Sequence, residues 1–396
     1  MSIQIGLGLS TQRDPILAAK EAVIKARTDI YNAKISLALV FSSIDLSGST
    51  TLKVIANFIE GAQILGISTT AIFSNQGLFK HGLAVMLISL KDDTYITTAC
   101  VKNIKEAAPS AAGEELANNL LAGLKGSPRG LSLMFSEGLT KHGSEITGAF
   151  QKKLGASIPL LGAMTSSNLS SQETYIYSNQ ELLRNATAGL LFGGKLVFGL
   201  GTQHGWMPIG KPHRVTNSSG NIVNEIDGLP ASKLYEDYTG KNITQLKEEL
   251  RRISIYYPLG IRLEGEKEFL LRNVLEIKEN GSLIFQGDIA QDSSIRIMIG
   301  TKETCLAAAS QAVEQAKKAL GEHPCKFALV FSSLSRYILL GRHAKKELDI
   351  IKEKLGENVP IVGIYTHAEQ APLKATSYLG NAYLHNQTIN VLTIGG

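Results

Sequence analysis

The chain has 396 residues, more than one ordinary hydrophobic core uses, so its length indicates two or three domains. Apolar residues make up 44% of the chain and charged residues 19%, which excludes an intrinsically disordered protein. The formal charge of +5 comes from 40 basic and 35 acidic residues without a run of five like charges, and only 6% of the residues are aromatic. This pattern argues against nucleic acid as a partner.

The cysteine content and the apolar segments indicate the compartment. Cys100, Cys305 and Cys325 are odd in number and far apart, unlike the cysteines of a disulfide scaffold or a zinc site. The N-terminus has no basic flank followed by an apolar signal segment. The longest apolar stretch, residues 188–200, is interrupted by two glycines and a lysine and is too short to span a bilayer. We expect a cytoplasmic protein with no membrane insertion.

One pattern occurs three times along the chain: an apolar run, a spacer, and a second apolar run that ends in glycine and hydroxyl residues. Apolar residues of the spacers recur at helical spacing, as Leu52, Ile55 and Ile59 do. The pattern therefore predicts three βαβ units whose nearly continuous apolar strands lie in sheets covered on both faces. The paired runs are 38–43 with 65–69, 131–136 with 159–165, and 328–333 with 360–366.

Each unit is preceded by a further strand and helix and followed by strands that we expect to be antiparallel. In the first unit, Asp14 followed by Pro15 predicts a helix N-cap and first helical position. In the third unit, residues 295–300 are predicted to be the first strand, and 378–384 and 389–394 the last strands. The prediction is three related α/β layers, near residues 3–90, 95–203 and 295–394.

The segment from Gly205 to about Ala290 breaks this pattern. Asn280-Gly281 lies between two strand-like runs and predicts a β-hairpin. We predict an α/β fold of related βαβ-containing layers with mixed sheets, in two packed domains. The first spans residues 1–210 with two βαβ repeats, and the second spans residues 211–396 with a smaller α+β segment followed by the third repeat.

Several short motifs, taken in order, resemble those of the FIST family, the F-box and intracellular signal transduction proteins. The resemblance covers nearly the whole chain and implies an N-terminal FIST domain at residues 1–210 and a C-terminal FIST domain at residues 211–396. The motifs are Gly6-x-Gly8-x-Ser10, Gly205-Trp206-x-Pro208-x-Gly210, Tyr257-Pro258-Leu259-Gly260, Leu271-Arg272-Asn273, Gly287-Asp288-Ile289, Thr366-His367-Ala368-Glu369 and His385-Asn386-Gln387-Thr388.

What the resemblance implies is a sensory module that binds a small molecule such as an amino acid and passes the signal to a partner protein. Two positions depart from the family pattern. His367-Ala368-Glu369 stands where Tyr-Gly-Glu is expected, and Ser333 stands where a cysteine is expected. If the glycine held a special backbone conformation, Ala368 would fit it poorly, so the ligand preference is expected to differ from that of typical members.

In open α/β sheets, ligands bind beyond the carboxyl ends of the strands, and here those ends carry serine and threonine. Hydroxyl groups there suit a carboxylate or another small polar ligand, although the same residues also serve as helix caps. The third repeat adds an arginine that could grip a carboxylate, or could instead pair with Glu369 in a structural ion pair. It also adds a histidine and a glutamate that could receive an amine. The predicted ligand-binding residues are Ser332, Ser333, Arg336, Thr366, His367, Glu369, His385 and Asn386.

Signatures of cofactor and metal sites are incomplete. Gly6-Leu7-Gly8 lacks the third glycine of a dinucleotide fingerprint because Thr11 stands at that position. His367, Glu369 and His385 are the right types for a metal site but match no known spacing. Cys305 lies at a helix start, where the pKa of a thiol is lowered, yet its apolar neighbours favour a packed thiol. No cofactor and no catalytic residue is predicted.

The leading hypothesis is a non-enzymatic cytoplasmic sensor that binds a small polar ligand and relays the binding to a signalling partner. One alternative is an enzyme that uses Glu369 or His367 as acid or base. The other is a protein-interaction module without a ligand.

Overall fold

The computed structural model describes residues 3–90, 93–104, 108–124, 128–167, 173–266, 268–373 and 381–396. In this part of the chain, three related α/β units and one inserted segment each carry a β-sheet, which confirms the predicted mixed α/β fold. No helix in these ranges is both long enough and apolar enough to cross a membrane.

The first unit alternates strands and helices from the N-terminus. The carboxylate of Asp14 accepts the backbone N–H groups of Ile16 and Leu17 at 2.9 Å, and Pro15 takes the first helical position, as predicted. The elements are β1 Gln4–Ser10, α1 Pro15–Asp29, β2 Leu37–Ser43, a 3-10 turn Ile44–Leu46, α2 Ser49–Ala56, β3 Gln63–Thr69, β4 Ile72–Ser74, β5 Gly77–Phe79 and β6 Leu83–Ser89.

The second unit repeats this order. Its second helix ends at Gly155, whose φ of 95° is easily adopted by glycine and disfavoured for other residues. The elements are β7 Thr94–Lys102, α3 Pro109–Gly123, β8 Arg129–Ser136, α4 Gly143–Leu154, β9 Leu160–Met164, β10 Ile176–Ser178, β11 Glu181–Leu183 and β12 Ala186–Gly194.

The third unit is split after its first strand, β13 Phe198–Gln203, by an inserted α+β segment. In that segment the predicted hairpin is present, and Gly281 in its turn has a φ of 80°. The inserted elements are β14 Trp206–Ser219, β15 Ile222–Ile226, β16 Leu229–Pro230, α5 Ser232–Thr239, α6 Ile243–Glu248, α7 Leu250–Tyr256, β17 Leu259–Arg262, β18 Phe269–Arg272, β19 Val274–Ile277, β20 Leu283–Phe285 and β21 Ser294–Gly300.

After the insertion, the third unit resumes with a long helix. Of the strand predicted at 378–384, positions 378–380 lie outside the described residues. The elements are α8 Lys302–Leu320, β22 Cys325–Ser333, α9 Leu334–Leu340, a 3-10 turn Gly341–His343, α10 Ala344–Leu355, β23 Ile361–Thr366, β24 Glu369–Pro372, β25 Ala382–His385 and β26 Ile389–Gly395.

Within the described residues, each unit builds a six-stranded sheet whose last two strands come from another unit. The orders are β1-β6-β2-β3-β10-β11, β7-β12-β8-β9-β24-β25 and β13-β26-β22-β23-β4-β5. In each sheet the parallel βαβ pair is followed by an antiparallel hairpin. The first unit's hairpin completes the third sheet, the second unit's hairpin the first sheet, and the third unit's hairpin the second sheet.

The prediction that residues 295–300 form the first strand of the third unit is wrong. These residues lie in β21, which pairs with β14 and β17 of the inserted sheet. The first strand of the third sheet is instead β13, which pairs with β26. The chain therefore leaves the third unit after β13, builds the inserted sheet and returns at α8.

β1 and β13 hold the same position in their sheets, and each packs closely against a helix. Gly6 and Gly8 of β1 lie against α1, and Gly199 and Gly201 of β13 lie against α8. A Cβ atom at any of the four would be 1.8 to 1.9 Å from a helix carbonyl oxygen. Only glycine allows a strand and a helix to approach this closely.

The inserted sheet has the strand order β18-β17-β21-β14-β15-β20-β19, with β16 paired to β15. It packs onto the third unit through a cluster that includes Trp206, Leu271, Cys305 and Leu339. The boundary predicted between residues 210 and 211 falls inside β14. Whether residues 1–210 and 211–396 are separate folding units stays a prediction.

The three sheets meet in one core. Phe41, Phe135 and Phe331 occupy the same position of the repeated motif, on β2, β8 and β22, and each is at most 1% exposed. Their rings pack edge to face, with centroids 6.0 Å apart for Phe41 and Phe135 and 5.7 Å apart for Phe135 and Phe331. Phe135 thus contacts both other units.

We predict that Phe135→Ala lowers the free energy of unfolding by about 3–5 kcal/mol, because it leaves a cavity where the three sheets meet. Urea unfolding followed by circular dichroism measures the change. Tyr31→Ala is the control, since this side chain is 81% exposed and its removal is expected to change stability by less than about 0.5 kcal/mol. Equal losses in the two variants would contradict a shared core at Phe135.

Candidate functional site

The carboxyl ends of the parallel strand pairs converge, and some of their hydroxyl groups bind another unit of the protein. Thr69 and Ser166 both donate to the carbonyl oxygen of Tyr365, at 2.7 and 2.5 Å. The backbone N–H of Ser166 donates to the carbonyl of Ser68 at 3.3 Å. The hydroxyls at this edge join the three units together.

Ser332 and Ser333, at the end of β22, are fully buried. The Ser332 hydroxyl donates to Glu347 Oε2 at 3.0 Å. Ser333 caps α9, where its hydroxyl accepts the backbone N–H of Ser335 at 3.4 Å. Both side chains are therefore bonded within the third unit.

Arg336 is fully buried and is neutralised by Glu347, not by the glutamate considered from the sequence. Its Nε and Nη2 atoms donate to Glu347 Oε1 at 3.1 and 2.6 Å. Its Nη1 and Nη2 atoms also donate to the backbone carbonyls of His204 and Cys305, both at 2.7 Å. These contacts use the guanidinium on the protein itself and tie α8, α9 and α10 together.

Glu369 is fully buried without a cationic partner among the described residues. Its carboxyl oxygens accept the hydroxyls of Thr366 at 2.6 Å and Thr388 at 2.8 Å. Burial raises the pKa of Glu369 to about 8, although these hydrogen bonds act in the opposite direction. Glu369 is therefore mainly protonated at neutral pH.

His385 and Asn386 lie at the end of the exchanged hairpin of the third unit. His385 Nε2 is 2.9 Å from the carbonyl oxygen of Ala371, and burial lowers the pKa of this imidazole to about 3. Asn386 Oδ1 accepts the backbone N–H of Asn273 at 3.0 Å. Asn386 thus positions a residue of the inserted segment.

His367 is the predicted site residue that lines an open cleft. Its Nδ1 atom is 3.0 Å from the carbonyl oxygen of Gly138, which makes Nδ1 the donor and leaves Nε2 as an acceptor. Burial lowers the pKa of His367, so the ring is neutral at physiological pH. No described residue forms a hydrogen bond to Nε2. The backbone of the next residue, Ala368, has no positive φ, so alanine fits that position.

We call the space beside His367 the strand-end cleft. It has a volume of about 270 Å³ and lies between α7 and β19 of the inserted segment and α9 of the third unit. Its polar lining consists of Arg251, Ser254, Asn273, Gln286, Ser335 and His367, and its apolar lining of Leu250, Ile255, Val274, Leu275, Leu334 and Ile338.

A hydrogen-bonded network fixes the polar side of the strand-end cleft. Asn273 Nδ2 donates to Gln286 Oε1 at 3.2 Å and to the Ser335 hydroxyl at 3.4 Å. Gln286 Nε2 donates to the carbonyl of His367 at 3.0 Å. At the mouth, the guanidinium of Arg251 is exposed and forms no ion pair or hydrogen bond within the described ranges.

Five of the six polar residues that line this cleft, all except His367, are not among the residues predicted from the sequence. Asn273 belongs to a family motif and Ser335 follows Ser333 closely, so both gave a local signal. Arg251, Ser254 and Gln286 belong to none of the quoted motifs and follow none of the three repeated apolar runs, so no local pattern indicated them. Glu347, the partner of Arg336, was also missed since it lies on the next helix.

The structure also bears on a metal site and on a reactive thiol at Cys305. The described residues contain no group of three or more His, Cys, Asp or Glu side chains that could hold a metal ion. Cys305 is buried, and burial raises the pKa of its thiol to about 12. It is a packed thiol in the core between α8 and the inserted segment.

Family comparisons agree with the motif order. The family model of the FIST N domain matches residues 36–229, and that of the FIST C domain matches residues 231–372. The chain is also 24% identical, over 252 residues, to an uncharacterized protein of Methanocaldococcus jannaschii. This alignment covers 59% of the chain and 48% of that protein, so the chain spans about half the length of this relative.

Among solved structures, the chain is similar to cyanuric acid hydrolase from A. caulinodans, with 8% identity, a TM-score of 0.41 and coverage of 100% and 99% of the two chains. A second cyanuric acid hydrolase structure gives 7% identity, a TM-score of 0.38 and full coverage of both chains. These TM-scores are too low to carry an argument about activity or ligand.

We predict that Glu347→Ala lowers the free energy of unfolding by about 3–5 kcal/mol, because it leaves Arg336 charged and buried without its partner. Glu353→Ala on the exposed side of the same helix is the matched control, with an expected loss below about 0.5 kcal/mol. Urea denaturation compares them. A loss for Glu347→Ala no larger than the control's would refute a structural role for the pair.

A second prediction concerns the pH dependence of stability. The folded protein keeps a proton on Glu369 up to about pH 8, whereas the unfolded chain releases it near the ordinary value of 4.5. The free energy of unfolding therefore falls as the pH rises through this range. Glu369→Gln keeps the neutral form, so it should be more stable than the wild type at pH 8 by on the order of a few kcal/mol.

Urea denaturation at pH 5 and pH 8 measures this difference. Glu276→Gln, an exposed position on β19, is the control and should change with pH as the wild type does. The prediction fails if Glu369→Gln and the wild type lose the same stability between the two pH values.

Proposed function

Because the chain belongs to the FIST family, whose domains are associated with signal-transduction sensing, we propose that it binds a small polar ligand in the strand-end cleft and relays the binding to a signalling partner. The ligand class we propose is an amino acid or a molecule with the same carboxylate and amine groups. The cleft volume of about 270 Å³ is just below the range of about 300–1,000 Å³ typical for drug-sized ligands, which favours a smaller molecule.

The observation that carries this proposal is the pair of unpartnered groups in one cleft. Arg251 supplies a guanidinium that no described residue neutralises, and a guanidinium binds a carboxylate through two parallel hydrogen bonds. His367 supplies a neutral Nε2 acceptor, which suits an ammonium group. A ligand with both groups would satisfy both residues.

The lining also limits which side chain the ligand carries. Leu275, Val274 and Ile338 form an apolar wall, whereas Asn273 and Gln286 have most of their amide atoms engaged with each other and with neighbours. A ligand therefore gains most from a small apolar group against this wall. We propose a short aliphatic amino acid or an analogue as the preferred ligand.

The position of the cleft suggests how binding is relayed. One wall belongs to the inserted segment, through α7 and β19, and the other to the third unit, through α9. A ligand that contacts both walls changes the free energy of their relative arrangement, which is the basis of a domain-closure switch. The three free cysteine thiols support our placement of the protein in the reducing cytoplasm.

The enzyme alternative gains less support. Glu369 has a raised pKa, which is common at active sites, but its carboxyl group is fully buried and bonded to two threonines. An acid or base must reach the proton that it transfers. We therefore keep the sensor as the single proposed function.

A thermal-shift screen of the purified chain against amino acids, organic acids and nucleotides tests the proposal. A ligand at one hundred times its dissociation constant stabilises the folded protein by about 2.7 kcal/mol. Arg251→Ala should weaken binding about tenfold or more, because it removes the charged group that holds the carboxylate. Titration calorimetry measures the affinity of each variant.

Arg252→Ala is the matched control, since the neighbouring arginine does not line the cleft and should change affinity less than about twofold. Leu275→Trp, at a 43% exposed position, should block the cleft while the fold survives. If no compound stabilises the chain, or if Arg251→Ala and Arg252→Ala act equally, the ligand site is wrong, and a partner pull-down becomes the test of a ligand-free interaction module.

A further inference from the structure

A second cavity lies between the second unit and the exchanged hairpin of the third unit. It has a volume of about 490 Å³, and its lining includes Ser144, Gln151 and Lys152 from α4, Arg272 from β18, and Tyr383 from β25. It shares no lining residue with the strand-end cleft. We call it the α4 cavity.

The α4 cavity is lined by a buried positive charge, Arg272, that contacts no carboxylate of the described residues. Arg272 is 4% exposed and donates only to backbone carbonyls: Nε to Asp288 at 3.1 Å, and Nη1 to Leu271 at 3.0 Å and Leu384 at 2.8 Å. Its Nη2 atom has no partner within the described ranges. A buried charge is costly unless it is paired, so an unpaired guanidinium at a cavity wall is a group that a bound anion would stabilise.

Arg272 differs from another buried arginine, Arg336, in its partners. Arg336 has a carboxylate of its own, Glu347, at 2.6 Å. Arg272 forms no ion pair with any described carboxylate and faces the α4 cavity. Burial lowers the pKa of Arg272 to about 10, which still leaves it charged at neutral pH.

Further groups around the cavity favour an anion. Ser144, in the first turn of α4, accepts the backbone N–H of Asp288 at 3.3 Å and keeps its own hydroxyl proton for a ligand. Lys152 is exposed and forms no ion pair within the described part of the chain. The acidic group whose charge acts on Arg272 is Asp288, and burial raises the pKa of its carboxyl group, with the charge of Arg272 acting in the opposite direction. It does not neutralise Arg272 by direct contact.

We propose that the α4 cavity is a binding site for a small multivalent anion that carries carboxylate or phosphate groups. Nη2 of Arg272 and the hydroxyl of Ser144 bind one anionic group, and Lys152 at the rim binds the second. Because these residues come from the second unit and the inserted segment, the bound anion would join two parts of the fold. This proposal does not depend on the function proposed for the strand-end cleft.

Titration calorimetry with citrate, inorganic phosphate and pyrophosphate tests the site, with sodium chloride at equal ionic strength as the reference for general salt effects. Citrate and the two phosphates distinguish a carboxylate ligand from a phosphate ligand. We expect at least one of these anions to bind the wild type with a dissociation constant below the millimolar range.

Lys152→Glu should weaken that binding at least tenfold, since it replaces an attractive charge at the rim with a repulsive one. Lys153→Glu is the matched control, because it makes the same charge change on the next residue of α4, which is exposed and does not line the cavity. It should alter affinity less than about twofold, as expected for a screened surface charge.

Arg272→Gln should abolish binding, and its circular dichroism spectrum shows whether the fold is kept. If that variant does not fold, Ser144→Ala and the two lysine variants still decide the question. The site is refuted if none of the three anions binds more strongly than chloride, or if Lys152→Glu and Lys153→Glu weaken binding by the same factor.

Discussion

The exchange of hairpins between units is the constraint on which the rest of the fold depends. The second strand of each βαβ pair would otherwise present an unpaired edge, and open edges favour aggregation. Here β3 is covered by β10, β9 by β24 and β23 by β4, always from another unit. No single unit completes its sheet from its own described strands, and the three units share one core, at which Phe41, Phe135 and Phe331 meet.

This constraint also decides where a ligand can bind. The exchanged hairpins follow directly after the parallel strands, so the strand ends are drawn together, and the hydroxyls of Thr69 and Ser166 bond to the third unit. The usual ligand position beyond the strand ends is thereby filled with protein. Open polar groups occur instead where the inserted segment meets the units, as at Arg251 and His367.

The two buried arginines show that residue type alone does not define a role. Arg336 lies eleven residues before Glu347, and the turn between α9 and α10 brings the two together as a neutral pair. Arg272 lies where β18 meets the third unit's hairpin and donates only to backbone carbonyl oxygens. It forms no ion pair with a described acid, although the charge of Asp288 acts on it. The first stabilises the third unit, whereas the second leaves a charge that a ligand can neutralise.

Local features of the sequence determined much of the fold. The apolar runs of the three repeats, the cap at Asp14, the glycine stop at Gly155 and the turn at Asn280-Gly281 depend on neighbouring residues, and all were predictable. The order of the motifs was enough to recognise the family. The place of His367 directly after the end of a strand was also predictable, because that strand is one of the apolar runs.

Tertiary structure alone decided which distant segments pair. The Gly-Leu-Gly of β13 repeats that of β1, yet the whole inserted segment separates β13 from its helix α8, so strand 295–300 was the nearer and wrong choice. For the same reason, local sequence patterns did not indicate the exchange of hairpins or the pairing of Arg336 with Glu347. Local patterns specify helices, strands and turns through contacts a few residues apart, whereas strand partners and ion pairs are chosen by packing between residues far apart in the chain.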